Sequence, residues 1–359
     1  MTLLAPCLAA LCQAAVTASV PAAAETVPTI AFQPVIDAEP VIEPVIEAGA
    51  ESGSNPQLAV APMPLDHAPT RRAIAPLDET NALGGGGLRI GKVDMFKGGK
   101  LLLTNGISTV EGSSGGGIAR WATIGGRQMP GGIGISGHAT AVELPDFGWR
   151  SYGVAVGFGD RLELSYARAN FDTRDVGALL GIGQGYTFNQ DIYGAKLRLA
   201  GDVVYGTSWL PQIAVGIEHK RNLDGGLVQA LGAGDDSGTD YTISATKLLL
   251  ARSVLVNATL RYTEANQLGL LGFGSAAGEE YKLQFEGSLG YQLSRRAVIG
   301  AEYRTKPDNL GLGEDDWMDI FAAYALTDNL TLAAAYVDLG SIATISGQRG
   351  GFLSAQIAF

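Results

Sequence analysis

Taken at every second position, residues 281–292 separate into two lists. Tyr281, Leu283, Phe285, Gly287, Leu289 and Tyr291 are apolar or aromatic, while Lys282, Gln284, Glu286, Ser288, Gly290 and Gln292 are polar or small. Successive side chains of a strand point to opposite faces, so this stretch has one apolar wall and one polar wall. The apolar wall begins and ends in Tyr, whose amphipathic ring suits a membrane–water boundary. Its length is that of a tilted strand crossing a bilayer, roughly 9–11 residues. The pattern recurs from Gly98 onward. Leu162, Leu164 and Tyr166 alternate with Arg161, Glu163 and Ser165, and Tyr193, Ala195 and Leu197 with Gly194, Lys196 and Arg198. Ile217 sits beside Glu218, Leu260 and Tyr262 flank Arg261, Ala301 and Tyr303 flank Glu302 before Arg304, and Ile320 follows Asp319. Soluble sheets also alternate, but seldom line one face of strand after strand with charge while the other face ends in Tyr. The pattern predicts an all-β, transmembrane, antiparallel up-and-down β-barrel.

The connections support this reading. Short links at 158–160, 250–252, 294–295 and 327–329 alternate with longer ones near 172–190, 221–240, 265–279, 305–315 and 340–349. Short periplasmic turns and long outer loops are the asymmetry of outer-membrane barrels. Counting back from the C-terminus gives about 12 strands (10–14), the first near Ile118. Residues 100–111 are left over, as a further strand, as a hairpin packed in the lumen against residues 118–125, or as half of an extra pair. Gly351, Leu353, Ala355, Ile357 and Phe359 share the last apolar face. The terminal Phe359 resembles the signal by which bacterial barrels are recognised by their assembly machinery.

The N-terminal quarter is different. Residues 1–24 carry an apolar core and end in Pro21, Ala22, Ala23 and Ala24, the pattern of a signal peptide, although no Lys or Arg precedes Arg71. Both cysteines, Cys7 and Cys12, lie within it, and Pro6 and Leu11 stand where a lipobox has small residues. Without that segment neither a disulfide nor a Cys-based metal site is available. Across 25–97 Pro is frequent, acids outnumber bases, and Pro-Val-Ile-acid recurs at 34–37, 40–43 and 44–47. Repeated Pro blocks helix and sheet pairing, so this is read as a disordered periplasmic arm, a spacer or a docking strand. Residues 98–359 form the barrel. The net charge of −11 argues against a nucleic-acid partner.

Enzymatic chemistry is thinly supplied. His67, His138 and His219 are the histidines, and His219 beside Glu218 points to the opposite face of its strand. No nucleophile–base–acid set is evident. The glycine cluster at 112–117 lacks the following Gly-Lys-Ser/Thr of a phosphate loop. The acidic loop clusters 234–238 and 313–316 lack the spacing of a calcium loop. No catalytic residue, cofactor or metal is therefore assigned. The informative set is the lumen-facing charge: Arg161, Lys196, Arg198, Arg261, Lys282 and Arg304 against Glu163, Glu218, Glu286, Glu302 and Asp319. These residues either line a small aqueous pore or close the lumen by pairing across strands.

Several runs carry a resemblance. Residues 99–112, Gly115–Gly117 with Trp121, Phe147-Gly-Trp149, residues 159–168 with Phe171-Asp-Thr173, and residues 193–198 resemble an uncharacterised bacterial outer-membrane family (domain of unknown function 3034). The likeness spans roughly 98–359. It implies a barrel in the bacterial outer membrane, in contact with lipid and lipopolysaccharide, and carries no known activity. The functional expectation is a porin-like passive channel for small polar solutes or ions, not an enzyme. The alternative is a non-conducting barrel with a structural, assembly or surface-binding role.

Overall fold

The computed structural model describes residues 89–90, 93–94, 99–205, 209–278 and 281–359. Residues 1–24 and nearly all of 25–97, read above as signal and arm, lie outside them, apart from a two-residue strand pair, Arg89–Ile90 with Val93–Asp94.

Twelve antiparallel strands form a closed barrel. In chain order they are β1 (Ile133–Glu143), β2 (Gly148–Phe158), β3 (Leu162–Asp172), β4 (Thr187–Ala200), β5 (Gln212–Asn222) and β6 (Ser237–Leu249). They continue as β7 (Val254–Thr263), β8 (Lys282–Ser294), β9 (Ala297–Arg304), β10 (Trp317–Ala325), β11 (Leu330–Asp338) and β12 (Arg349–Ala358). Each strand pairs with its chain neighbours, and β12 pairs with β1 to close the ring. Closure satisfies the backbone without an open edge, the condition for a sheet to cross hydrocarbon.

Side-chain burial follows the two-residue period. On β10, Trp317, Asp319, Phe321 and Ala323 are buried, while Met318, Ile320, Ala322 and Tyr324 are exposed. Over its middle band the exposed face is apolar around the ring, and Tyr rings collect toward the long-loop end at Tyr152, Tyr193, Tyr241, Tyr262, Tyr303 and Tyr336. Tyr291 and Tyr324 mark the opposite rim. An apolar outer band between aromatic girdles, around a polar interior, identifies an outer-membrane barrel.

The first strand begins at Ile133, not near Ile118. Ile118, Trp121 and Ile124 lie inside the barrel and are buried. Of the three placements open for residues 100–111, the structure takes the lumen, but the strand partner there is 114–115 and not 118–125. A short pair, Ile107–Ser108 with Ser114–Gly115, leads into a chain that folds back along the wall. Two links also differ from the expected alternation: 144–147 is a short turn at the long-loop end, and β4 connects to β5 through the longer 201–211.

The long-loop end carries a cap. Two short helices, α1 (Val176–Leu179) and α2 (Gly225–Ala230), lie in loops there. The β7–β8 loop brings Leu268, Leu270 and Leu271 into an apolar cluster with Val176, Phe188 and Val228. Gln190 and Asn222 donate to carbonyls of residues 268–270, tying this loop to the wall.

Candidate functional site in the lumen

The lumen is filled by residues 101–128, here called the plug, and the wall side chains are arranged around it. At its centre is the Glu111 carboxylate. Arg261 donates to it from Nη1 at 3.1 Å and Nη2 at 3.0 Å, Arg304 from Nη1 at 2.7 Å, and Arg120 from Nη2 at 3.2 Å. Lys220 Nζ also contacts it closely. A second tier balances these cations. Asp240 pairs with Lys220 at 2.7 Å and Arg261 at 3.1 Å, Glu286 with Arg261 and Arg304, and Glu218 with Arg120. Four carboxylates, Glu111, Glu218, Asp240 and Glu286, thus face four cations, all buried. Burying this many charges is tolerable only because each lies against a charge of opposite sign.

Around this centre the wall binds the plug's backbone. Glu163 accepts from Ser113 Oγ, the Ser114 amide and the Gly125 amide, while Lys196, 3.3 Å from Glu163, donates to the carbonyls of Ser114 and Thr123. Glu302 accepts from the amides of Ile118 and Ala119 and from Ser288 Oγ. Glu286 takes the Arg120 amide, and Asn257 and Thr259 both donate to the Arg120 carbonyl. Trp121 Nε1 donates to Ser288. Irregular backbone in a membrane-level lumen must find such partners, and the wall supplies them.

The sequence-derived set therefore divides by position. Glu163, Lys196, Glu218, Arg261, Glu286, Glu302, Arg304 and Asp319 are buried and point inward. Asp319 stands opposite Glu302 across β9 and β10, and its Oδ1 is buried without a hydrogen-bond partner. Arg198 sits at the short-turn end with Asp160 and Asp202. Lys282 sits at the other end, its Nζ 3.4 Å from the Asp308 carbonyl. Arg161 is exposed in the β2–β3 turn, outside the lumen. The Phe359 carbonyl accepts from the Arg127 and Ile135 amides, so the chain end holds the foot of the plug against β1.

Four central groups escaped sequence reading: Glu111, Arg120, Lys220 and Asp240. Lys220 was accessible in principle, because it shares the polar face of Glu218 two residues earlier. Glu111 and Arg120 carry no periodic signal, because their segment is not a regular strand.

Other chemistries are poorly served. Oxygens of Glu111, Glu218 and Asp240 converge closely enough to hold a cation, but Lys220, Arg120 and Arg261 already neutralise them. His138 Nε2 lies 3.3 Å from Ser151 Oγ beneath the plug. That pair is no hydrolytic dyad as arranged: Ser151 Oγ donates to the Val110 carbonyl, and His138 Nδ1 has no orienting acid. In the β9–β10 loop, burial lowers the Lys306 ammonium and raises the Glu314 carboxyl, and the two groups meet at 3.3 Å.

Among solved structures, the fold is similar to the KdgM porin in complex with disordered oligogalacturonate, with 11% identity over 62% of this chain and 99% of that chain and a TM-score of 0.42. It is also similar to the NanC porin, with 8% identity, 63% and 98% coverage and a TM-score of 0.40. Outer membrane phospholipase A from Escherichia coli gives 10% identity, 63% and 91% coverage and a TM-score of 0.34. At these values the likeness is one of barrel architecture. No curated protein matches the chain in sequence. Residues 104–356, from inside the plug to the last strand, match the family described as protein of unknown function (DUF3034), and the chain belongs to that family.

Proposed function

We propose that the protein is a gated channel for small polar solutes or ions, closed in this conformation by its own plug. The observation that carries the reading is the chemistry of the plug–wall interface. A barrel meant to stay filled is best filled with apolar side chains, since replacing buried ion pairs by apolar residues of like volume is often neutral or stabilising. Here the wall keeps lysines, arginines and carboxylates that water could solvate once the plug moves, so the interface is exchangeable. Residues 1–24 act in this reading as the export signal. Residues 25–97 form a periplasmic arm that precedes the plug in the chain, and Phe359 serves as the assembly signal.

Planar-bilayer recordings of the full chain test this. The native chain gives rare openings. Glu111→Gln, which leaves Lys220, Arg261 and Arg304 facing a neutral amide, gives discrete steps, and Leu268→Ser in the outer loop makes them more frequent. Silence from both variants, in chains that keep the heat-modifiable mobility of a folded barrel, would leave a permanently filled barrel with a structural envelope role.

A further inference from the structure

On the outside of the barrel, a depression of about 490 Å3 opens toward lipid where β12, β1, β2 and β3 lie side by side. Its floor is low because Gly137 and Ala139 face outward with little or no side chain and Gly153 offers only backbone. Tyr152, Tyr166 and Ile357 form its walls. Large side chains such as Leu283, Leu289, Ile320 and Leu353 stand on the lipid-facing surface of other strands, among outward alanines such as Ala301, Ala322 and Ala334. An apolar trough in such a surface fits an acyl chain.

A separate observation concerns charge. Arg150 lies two residues beyond Tyr152 on β2, and Arg168 on β3 stands across from Tyr152 and two residues beyond Tyr166. Arg168 holds Asp191 at 2.6 and 2.9 Å, and Arg221 lies across from Asp191 on β5. Arg150 and Arg221 are exposed. In a chain of net charge −11, three guanidiniums thus gather on the outer surface of neighbouring strands, just past the Tyr girdle at the long-loop end. The long-loop halves of β6–β11 turn no Lys or Arg outward. From Arg150 to Val154, at the trough, is about 13 Å along the strand, within one leaflet of roughly 15 Å.

We infer that this face is a binding site for the lipid A part of lipopolysaccharide, with a phosphate on Arg150 and Arg168 and one acyl chain in the trough beneath. Guanidinium is suited to phosphate because it presents paired donors in a plane. The long-loop end faces the leaflet where this glycolipid resides.

The test uses the full chain folded in detergent micelles, with lipid A titrated in and the amount retained on the protein measured by mass spectrometry. Arg150→Ala combined with Arg168→Ala weakens retention by about tenfold. Gly137→Leu fills the trough and weakens it as well, since a side chain there meets only the Gly153 carbonyl at 3.6 Å and Ile357 Cγ2 at 3.8 Å. Arg252→Ala combined with Arg295→Ala, at the short-turn end, leaves retention unchanged. Heat-modifiable mobility confirms that each variant is folded. Unchanged retention in both test variants overturns the assignment, as does equal loss in the control pair. Equal retention of dephosphorylated lipid A or of phosphatidylglycerol overturns it too.

Discussion

At the scale of single residues, Glu111 ties the plug to the charges of the wall. It is the one carboxylate of the plug, and four cations share it. Glu111→Gln leaves buried cations uncompensated and costs about 3–5 kcal/mol, the usual penalty for breaking a buried pair from one side. Urea unfolding followed by the fluorescence of the buried Trp121, Trp149 and Trp317 would measure it, and a loss below 1 kcal/mol would mean that water already reaches the cluster. Gly112 is a second such position. Its φ of 92° is in the region that favours glycine, and a Cβ would come within 2.7 Å of Ala167 Cβ on the wall. Gly112→Ala therefore costs about 1–3 kcal/mol, through both backbone strain and displacement of the plug from β3. The same urea titration would show it, and a neutral outcome would place the plug farther from β3.

At the scale of elements, each barrel strand does two jobs that alternate residue by residue. On β8, Leu289 faces lipid and Glu286 and Ser288 face the plug. Leu289→Arg places a charge in hydrocarbon and destabilises the barrel by about 2–4 kcal/mol if its level is mid-membrane. Refolding into lipid vesicles at graded urea would measure this, and a cost near zero would place Leu289 at the interface instead. The strands were legible in the sequence because their period survives every local irregularity. Residues 112–128 were not, because they contact the wall through backbone amides and carbonyls, which sequence does not display. Ile118, Trp121 and Ile124 are three residues apart, so they could not share one face of a strand, and they pack inside the ring.

At the scale of the whole molecule, the charge of the wall sets what an opened lumen would pass. The strand faces bury six acids, Glu163, Glu218, Asp240, Glu286, Glu302 and Asp319, against four bases, Lys196, Lys220, Arg261 and Arg304, an excess of two acids. The surplus lies at Glu302 and Asp319, which form no ion pair with a base among the described residues. With the plug displaced, this excess favours cations. Reversal potentials across a salt gradient should show cation preference in the Glu111→Gln chain, lessened by adding Glu302→Gln with Asp319→Asn. Anion preference in the first chain would mean that the surplus carboxyls stay protonated or hidden.

The class of fold, the lipid-facing and lumen-facing positions, and the presence of charge along the inner wall can all be read from the order of residues. All of these follow from a two-residue period, a local property that each strand carries alone. What that charge does depends on contacts that form only when the chain is folded. Glu111 meets Lys220, Arg261 and Arg304 across sequence separations of 109, 150 and 193 residues, and nothing local to any of them specifies the meeting. Whether a ring of charges lines a pore or grips a plug depends on which segment fills the space inside the closed sheet, and that space exists only once β12 has paired with β1.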